Sequence, residues 1–419
     1  IPPLINFSDG AEFAISFYSL GISHPPSYPL FVDVSRLLYY IPLGNIYIRL
    51  CIFTVLISSL IFFVIWRFYK GSILQKSVLS IFLLSCESFF ENTLIGEVYG
   101  LNLLFFVLIF FSVDKIKNKK FFYLIFFLLG LGIGNHHSII LLMPYIFFVI
   151  YSNRSLFNFK DIALSSFLLM LGFSVYLYLP FRAIKDPMWN WGNPKNLIFF
   201  MTNFFRSDFS NKGILRPIEY FVSQLTSLNP VYEIGVINTL ITIIALVILF
   251  FKNRKKFTKI LFIVFYYSVL LIILLGYDEI EPDKMSLTYG PFYIPIYFVL
   301  AYALSESLPY IKKALNIFLL VLVFLGFFIN LKKYLIDFDL TKFSFKTYNY
   351  TKSKMSMLPR NSVFIVQGGE EDFPSLFEQK VCKFREDVTI IPLSMLGKKW
   401  NFKESIKVGT TYSKGYEGE

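Results

Sequence analysis

Charge is scarce in this chain, and so are histidine, cysteine and tryptophan. Only 16% of its 419 residues are Asp, Glu, Lys or Arg, against 55% hydrophobic. A soluble domain carries about a quarter of its residues charged, so the water-soluble enzyme classes are excluded. The three cysteines, Cys51, Cys86 and Cys382, form neither a disulfide framework nor the paired spacing of a zinc site. There is no G-x-x-x-x-G-K-[ST] and no G-x-G-x-x-G, so a nucleotide fuel is not indicated. Gly368-Gly369-Glu370-Glu371-Asp372 follows an expected strand, but its acidic residues would repel phosphate, and it reads as a loop. No internal repeat or low-complexity segment is visible.

The charge that is present has one sign in excess, a formal +12. Nucleic-acid binding is not the reading, because the Lys and Arg residues cluster in short loops between apolar runs, as the positive-inside rule expects. Those runs lie at about 46–66, 74–92, 97–113, 121–134, 138–151, 161–179, 234–251, 257–276, 290–307 and 314–330, and predict about ten membrane spans. With that count every basic loop falls on one side: Arg67, Lys70 and Lys76; Lys115 to Lys120; Arg154 and Lys160; Lys252 to Lys256; Lys312 and Lys313. That side should be cytoplasmic. The opposite loops include 181–232 and Gly276–Tyr289, the latter carrying Asp278, Glu279, Glu281 and Asp283.

Three regions follow. Residues 1–45 form a first external loop with two short juxtamembrane helices, over 10–21 and 28–40, separated by the His24-Pro25-Pro26 turn. Residues 46–331 form the transmembrane bundle, including the external loop 181–232. Residues 342–419 form a small extracytoplasmic α/β region. There Ser362–Gln367 and Asp387–Leu393 read as strands, and Asp372–Phe384 as the helix between them. The fold class is an all-α polytopic membrane protein with this α/β appendage. The chain starts at Ile1-Pro2-Pro3, and a further span is expected before it.

The three histidines, His24, His136 and His137, all fall at the expected outer face. So do Asp9, Glu12, Glu97, Asn135, Arg182 and Trp189-Asn190-Trp191-Gly192-Asn193-Pro194. Polar groups next to hydrocarbon are costly, so they tend to be paired or functional. Each has a plainer reading. Asp9 and Glu12 suit a solvated helix start, His24-Pro25-Pro26 a turn, and Gly96-Glu97-Val98-Tyr99 and Gly134-Asn135-His136-His137 connections between spans. Adjacent histidines point apart on a helix and no H-x-x-x-H spacing exists, so a divalent metal is possible but not indicated.

Taken together, Ser8-Asp9-Gly10-Ala11-Glu12-Phe13, His24-Pro25-Pro26-Ser27-Tyr28-Pro29-Leu30, Gly96-Glu97-Val98-Tyr99, Gly132-Ile133-Gly134-Asn135-His136-His137, Tyr178-Leu179-Pro180-Phe181-Arg182 and Asn190-Trp191-Gly192 are similar, in order and spacing, to a bacterial family. It is the family to which the vertebrate transmembrane O-mannosyltransferase of plexin-type receptors belongs. Pro359-Arg360-Asn361 to Leu396 also resembles its extracytoplasmic segment. The resemblance implies a GT-C helical bundle that takes a sugar from a polyprenyl-phosphate donor; no further cofactor is indicated. Carried over, Asp9 is the catalytic carboxylate and Glu12 its partner. The sequence reads Asp-Gly-Ala-Glu where Asp-Ser-Gly-Glu is commoner, and it lacks a long helical-repeat tail.

On that footing Asp9 is expected to take the proton of an acceptor hydroxyl. Arg182 is the first choice for the donor phosphate, since a guanidinium forks onto phosphate oxygens; His136, His137 and Lys185 come next. His24, Glu97, Tyr99, Asn135 and Asn190 would bind substrate, and Trp189 or Trp191 would stack on a sugar face. The expected partners are the lipid bilayer, the polyprenyl-phosphate sugar (mannose, by the vertebrate relative) and a protein or glycan acceptor. The expected location is a bacterial inner membrane with the site on the periplasmic side. The alternative is a transporter or flippase of a lipid-linked or small polar substrate. That class places its polar residues near the midplane of two related halves, and neither feature is seen here.

Overall fold

A computed structural model describes residues 5, 9–207, 229–274, 282–337 and 340–395. Each apolar run becomes a helix, and most begin at a side chain suited to capping the first free N–H groups. After α1 (Gly10–Ser19) and α2 (Pro29–Ser35), α3 (Ile46–Phe68) starts at Asn45, whose side chain accepts from Ile48 N at 2.8 Å. Then come α4 (Ile73–Leu84), α5 (Glu87–Leu94), α6 (Tyr99–Val113) and α7 (Lys119–Ile133). Ser72 and Gln75 close a capping box on α4. A 3₁₀ segment, His137–Leu142, leads into α8 (Met143–Ser152). Asn158 and Asp161 form a second capping box on α9 (Phe159–Phe173), followed by α10 (Tyr178–Ile184) and α11 (Leu197–Phe204). The remaining long helices are α12 (Pro230–Lys252), α13 (Arg254–Leu274), α14 (Pro282–Ser307) and α15 (Lys313–Asp337).

Of the about ten expected spans, not all are single helices of membrane length. Six segments are long and apolar enough among the described residues: Ile46–Phe68, Phe159–Ile184, Pro230–Lys252, Arg254–Ile273, Tyr289–Tyr310 and Lys313–Lys333. A seventh arises if α4 and α5, bent by 72°, count as one. The shortfall lies in 97–151. There α6 and α7 have 15 residues each, so at 1.5 Å per residue each runs about 22 Å, short of a hydrocarbon core of about 30 Å. Their apolar residues serve protein contacts as well as lipid. Almost every side chain of α6 is buried, and Tyr289–Tyr310 is 94% buried while Lys313–Lys333 is 22%. Thus α6 and α14 form the centre, and α9, α12 and α15 turn apolar faces outward.

The bundle has two chemically different ends. Lys70, Lys115, Lys256 and Glu306 line one cavity at one end, and the Lys119–Asp161 ion pair (2.6 Å) ties the starts of α7 and α9. At the other end lie α1, α2 and the α10–α11 region. Phe13 packs edge-on to Tyr28 and Phe31, and Phe31 to Phe53, which seats α1 and α2 on the first turns of α3.

Beyond the bundle, α16 (Leu340–Met357) leads into β1 (Val363–Val366), α17 (Gly369–Lys380) and β2 (Thr389–Pro392). The strands pair in parallel with Val363 opposite Thr389, as expected of a β-α-β unit. The Arg385 guanidinium holds the turn by donating to Leu358 O at 2.9 Å and Asp387 Oδ1 at 2.8 Å. α17 packs on α1, and Phe373 places its ring 6.4 Å from that of Trp191. The expected region 342–419 is described only to residue 395; 396–419 lie outside the described residues, as do 208–228 of the loop 181–232.

Candidate active site

The site begins with how α1 ends. Leu20 takes a left-handed conformation (φ 50°), and the next two residues run beside the Trp189–Trp191 segment. Ile22 N donates to Trp189 O at 2.8 Å, and Trp191 N to Ile22 O at 3.0 Å. The approach is so close that a Cβ on Gly21 would stand 2.7 Å from Trp189 O. The last carbonyls of α1 have no partner within the helix, and two guanidiniums supply one. Arg36 donates to Phe17 O and Tyr18 O, and Arg182 to Leu20 O (2.7 Å) and Ser19 O (3.1 Å). Arg182, expected on a phosphate, therefore stands as a cap on α1, a position that also suits the helix dipole.

Glu12 is fully buried and makes the central knot. Its Oε1 accepts from His24 N (2.7 Å) and Trp189 Nε1 (2.9 Å), and its Oε2 faces His24 Nδ1 in a short ion pair. Three chain segments thus converge on one carboxylate. On the far edge of the imidazole, Nε2 lies 3.1 Å from the Tyr28 hydroxyl and 3.7 Å from Asp9 Oδ2. Burial acts to lower the His24 pKa, but the Glu12 and Asp9 carboxylates outweigh it and, with Arg206 opposing, leave the ring above its ordinary 6.5. That shift favours the cationic ring, which bridges two acids of different exposure: Asp9 keeps 50% of its side chain accessible, Glu12 none.

Glu97 is the third acid. Burial raises its carboxyl well above the usual range, and the Asp9 charge raises it further, with the Val98 N–H opposing. That shift favours the neutral form, in which a carboxyl can donate a hydrogen bond.

The paired histidines do point apart. Ser138 N, an obligate donor, lies 3.2 Å from His136 Nδ1, so the neutral ring carries its proton on Nε2. Burial and then the Arg206 charge lower the His136 pKa well below the ordinary value. The ring stacks near Tyr28, tilts against Tyr99 and meets Phe292 edge-on. His137 instead meets the Tyr176 hydroxyl at 2.9 Å and the Phe204 ring. Asn135 Nδ2 donates to Val98 O at 3.2 Å. The side-chain oxygens of Asn135 and Asn190 are buried with no hydrogen-bond partner among the described residues, which leaves two acceptors for a hydroxylated ligand. Both tryptophans are 7% exposed and lean on one another, so they form a wall rather than an open platform. Lys185 is exposed just past α10 and joins no ion pair among the described residues.

Sequence reasoning missed Arg206, Asn203 and Ser27. Ser27 Oγ donates to Asn203 Oδ1 (2.7 Å) and Asn203 Nδ2 to Trp191 O (3.2 Å), which pins α11 to the His24 turn. Arg206 follows α11 at once, and its charge bears on both His24 and His136. Nothing in the spacing around it marks it out.

Residues 9–158 match the family model described as the Protein O-mannosyl-transferase TMEM260 N-terminal domain. Over that stretch the chain is similar to these O-mannosyl-transferases. Protein O-mannosyl-transferase TMEM260 of Mus musculus is 30% identical over 241 residues, covering 52% of this chain and 33% of the mouse protein. Protein O-mannosyl-transferase tmem260 of Dictyostelium discoideum is 24% identical over 477 residues, covering 95% of this chain and 56% of that protein. The chain thus spans a third to about a half of the curated relatives it matches. No solved structure matches. The family match contains Asp9, Glu12, His24, Glu97, Tyr99, Asn135, His136 and His137, and ends before Arg182, Lys185, Trp189 and Arg206. No group of three or more His, Cys, Asp or Glu side chains is placed to hold a metal ion among the described residues.

Proposed function

We propose that the chain is a membrane glycosyltransferase of the GT-C type that moves a sugar from a polyprenyl-phosphate donor to a serine or threonine hydroxyl of a protein. The reading rests most on one observation. In a relative of named protein O-mannosyl-transferases, the buried Glu12–His24–Trp189 knot presents a single half-exposed carboxylate, Asp9, with a cation 3.7 Å away. Asp9 accepts the proton of the acceptor hydroxyl as its oxygen attacks the anomeric carbon. The anomeric C–O bond to the donor phosphate breaks, and its electron pair leaves with the phosphate oxygen.

The transition state at the sugar is oxocarbenium-like, and donors aimed at the departing phosphate lower its energy. Arg206 takes the phosphate role first expected of Arg182, with the His136 Nε2–H as a neutral donor beside it. Glu97, as a neutral acid, and the Asn135 and Asn190 side-chain oxygens meet sugar hydroxyls. Glu12 acts through His24 and is a positioning residue. Mannose is taken from the relatives' names, and the outer face of the membrane from the basic loops at the opposite end.

The test is transfer from polyprenyl-phosphate mannose to a Ser/Thr peptide by purified protein beside Asp9→Asn. Loss of a general base costs about 10²–10⁴-fold in rate. Asp9→Asn that melts like wild type and keeps a tenth or more of the activity moves the base elsewhere. Wild-type protein that transfers from no donor, while carrying lipid-linked sugar across vesicles, replaces the reading with transport.

A further inference from the structure

At the end of the bundle away from Glu12, the ends of α3, α6 and α14 and the starts of α4 and α13 line a half-open cavity of about 380 Å³. Its wall is aromatic: Tyr69 stacks on Phe111 (centroids 5.8 Å, planes 13° apart), with Phe68 and Tyr302 beside them. Three cations line it, Lys70, Lys115 and Lys256, with two acids, Asp114 and Glu306.

Both acids are already answered. Glu306 pairs with Lys256 and accepts from the Tyr69 hydroxyl at 2.8 Å, and Asp114 Oδ1 lies 2.5 Å from Lys259 Nζ. Lys70 and Lys115 remain. Lys70 joins no ion pair among the described residues. Lys115 Nζ lies over the Phe68 (4.8 Å) and Phe121 (5.1 Å) rings in place of a carboxylate. Burial lowers the Lys115 pKa, and the charges of Lys70 and Arg67 lower it further, against Asp114. Like charges that crowd one apolar recess are relieved by an anion. Lys70 is exposed and Lys115 half-buried, and both line the cavity, whereas Lys117 and Lys120 are exposed and do not line it. Basic pockets between membrane helices are a known way to hold an anionic headgroup.

We propose that this cavity binds the phosphate of an anionic lipid headgroup, with Lys70 and Lys115 on the phosphate oxygens and Phe68, Phe111 and Tyr302 against its carbon skeleton. The test uses the purified full chain in phosphatidylcholine nanodiscs with and without phosphatidylglycerol, read by native mass spectrometry and melting temperature. Wild type should retain phosphatidylglycerol over phosphatidylcholine. Lys70→Gln/Lys115→Gln should bind it about twenty-five-fold more weakly, at about a factor of five per lysine near the membrane surface. Lys115→Arg should keep it, and so should Lys117→Gln/Lys120→Gln, which removes the same charge outside the cavity. Melting in pure phosphatidylcholine checks that each variant is folded. Soluble glycerol phosphate separates the sources: displacement assigns recognition to the phosphate alone, and retention assigns it to headgroup and tail together. Equal retention of the two lipids by wild type, or equal loss in the two double variants, overturns the proposal.

Discussion

Replacing Glu12 tests the knot most directly. In Glu12→Gln, the amide oxygen can still take His24 N and Trp189 Nε1. The amide nitrogen, however, now faces the His24 Nδ1 proton, and the imidazolium loses its buried counter-charge and keeps only the half-exposed Asp9, 3.7 Å from Nε2. Both side chains are at most 10% exposed, so water cannot replace what is lost. Removing one partner of a buried pair costs about 3–5 kcal/mol, and His24→Gln should cost a similar amount by stranding Glu12. The double variant puts two amides face to face, which can hydrogen-bond. Its loss should be close to one single loss, giving a coupling of about 3 kcal/mol.

The assay is equilibrium unfolding of the four proteins in detergent, at pH 6 and pH 9. The folded-state His24 pKa is raised, so its stabilisation is fully present below about 6.5 and is lost as pH rises through the raised value. Coupling should therefore shrink at pH 9. Strictly additive single losses, or a coupling unchanged between the two pH values, would refute the ion-pair reading.

Other outcomes follow from the same geometry. Glu97 ionises more readily unfolded than folded, so it lowers stability as pH rises above about 4.5; Glu97→Gln should melt higher at pH 7 and keep most transfer activity, whereas Glu97→Leu should lose activity. Arg206→Gln should raise the donor KM about 10- to 150-fold, the worth of a hydrogen bond to a charged group, with a smaller change in kcat. Arg182→Gln should lower the melting temperature by uncapping α1 and leave the donor KM near wild type. Gly21→Ala should destabilise by about 1–3 kcal/mol, as overpacking does, because its new methyl would meet Trp189 O.

Much of the helical frame was legible because its signals are local. Apolar runs, Asn and Ser caps and Lys-rich turns each act within a few residues, and the β-α-β unit after Met357 shows the same way. At α6 and α7 the apolar runs gave helices of only 15 residues each, because hydropathy marks an apolar run but does not fix how much of it one helix takes up. In the site, Asp9, Glu12, His24 and Glu97 were singled out because rare polar residues in an apolar chain stand out, and the structure does bring them together. Roles were less readable. The spacing of Asp9 and Glu12 gives no hint that one is half exposed and the other sealed, because the sealing comes from Trp189, 177 residues away. Arg182 was expected on a phosphate because a guanidinium forks onto phosphate oxygens, and the structure gives its guanidinium two carbonyls at the end of α1 that no sequence pattern displays.

The reach of Glu12 also sets an order of events during synthesis. Its partner His24 leaves the ribosome almost at once, but Trp189 follows only 177 residues later, about ten to thirty-five seconds at ordinary translation speeds. In that interval α3 to α10 must enter the membrane while α1 waits at the surface with its carboxylate half-answered. The carboxylate and its histidine can stay hydrated together until the Trp189 strand arrives and seals them. Assembly of this end of the bundle is therefore a late step, and it can proceed only after most of the helices beneath it are in place.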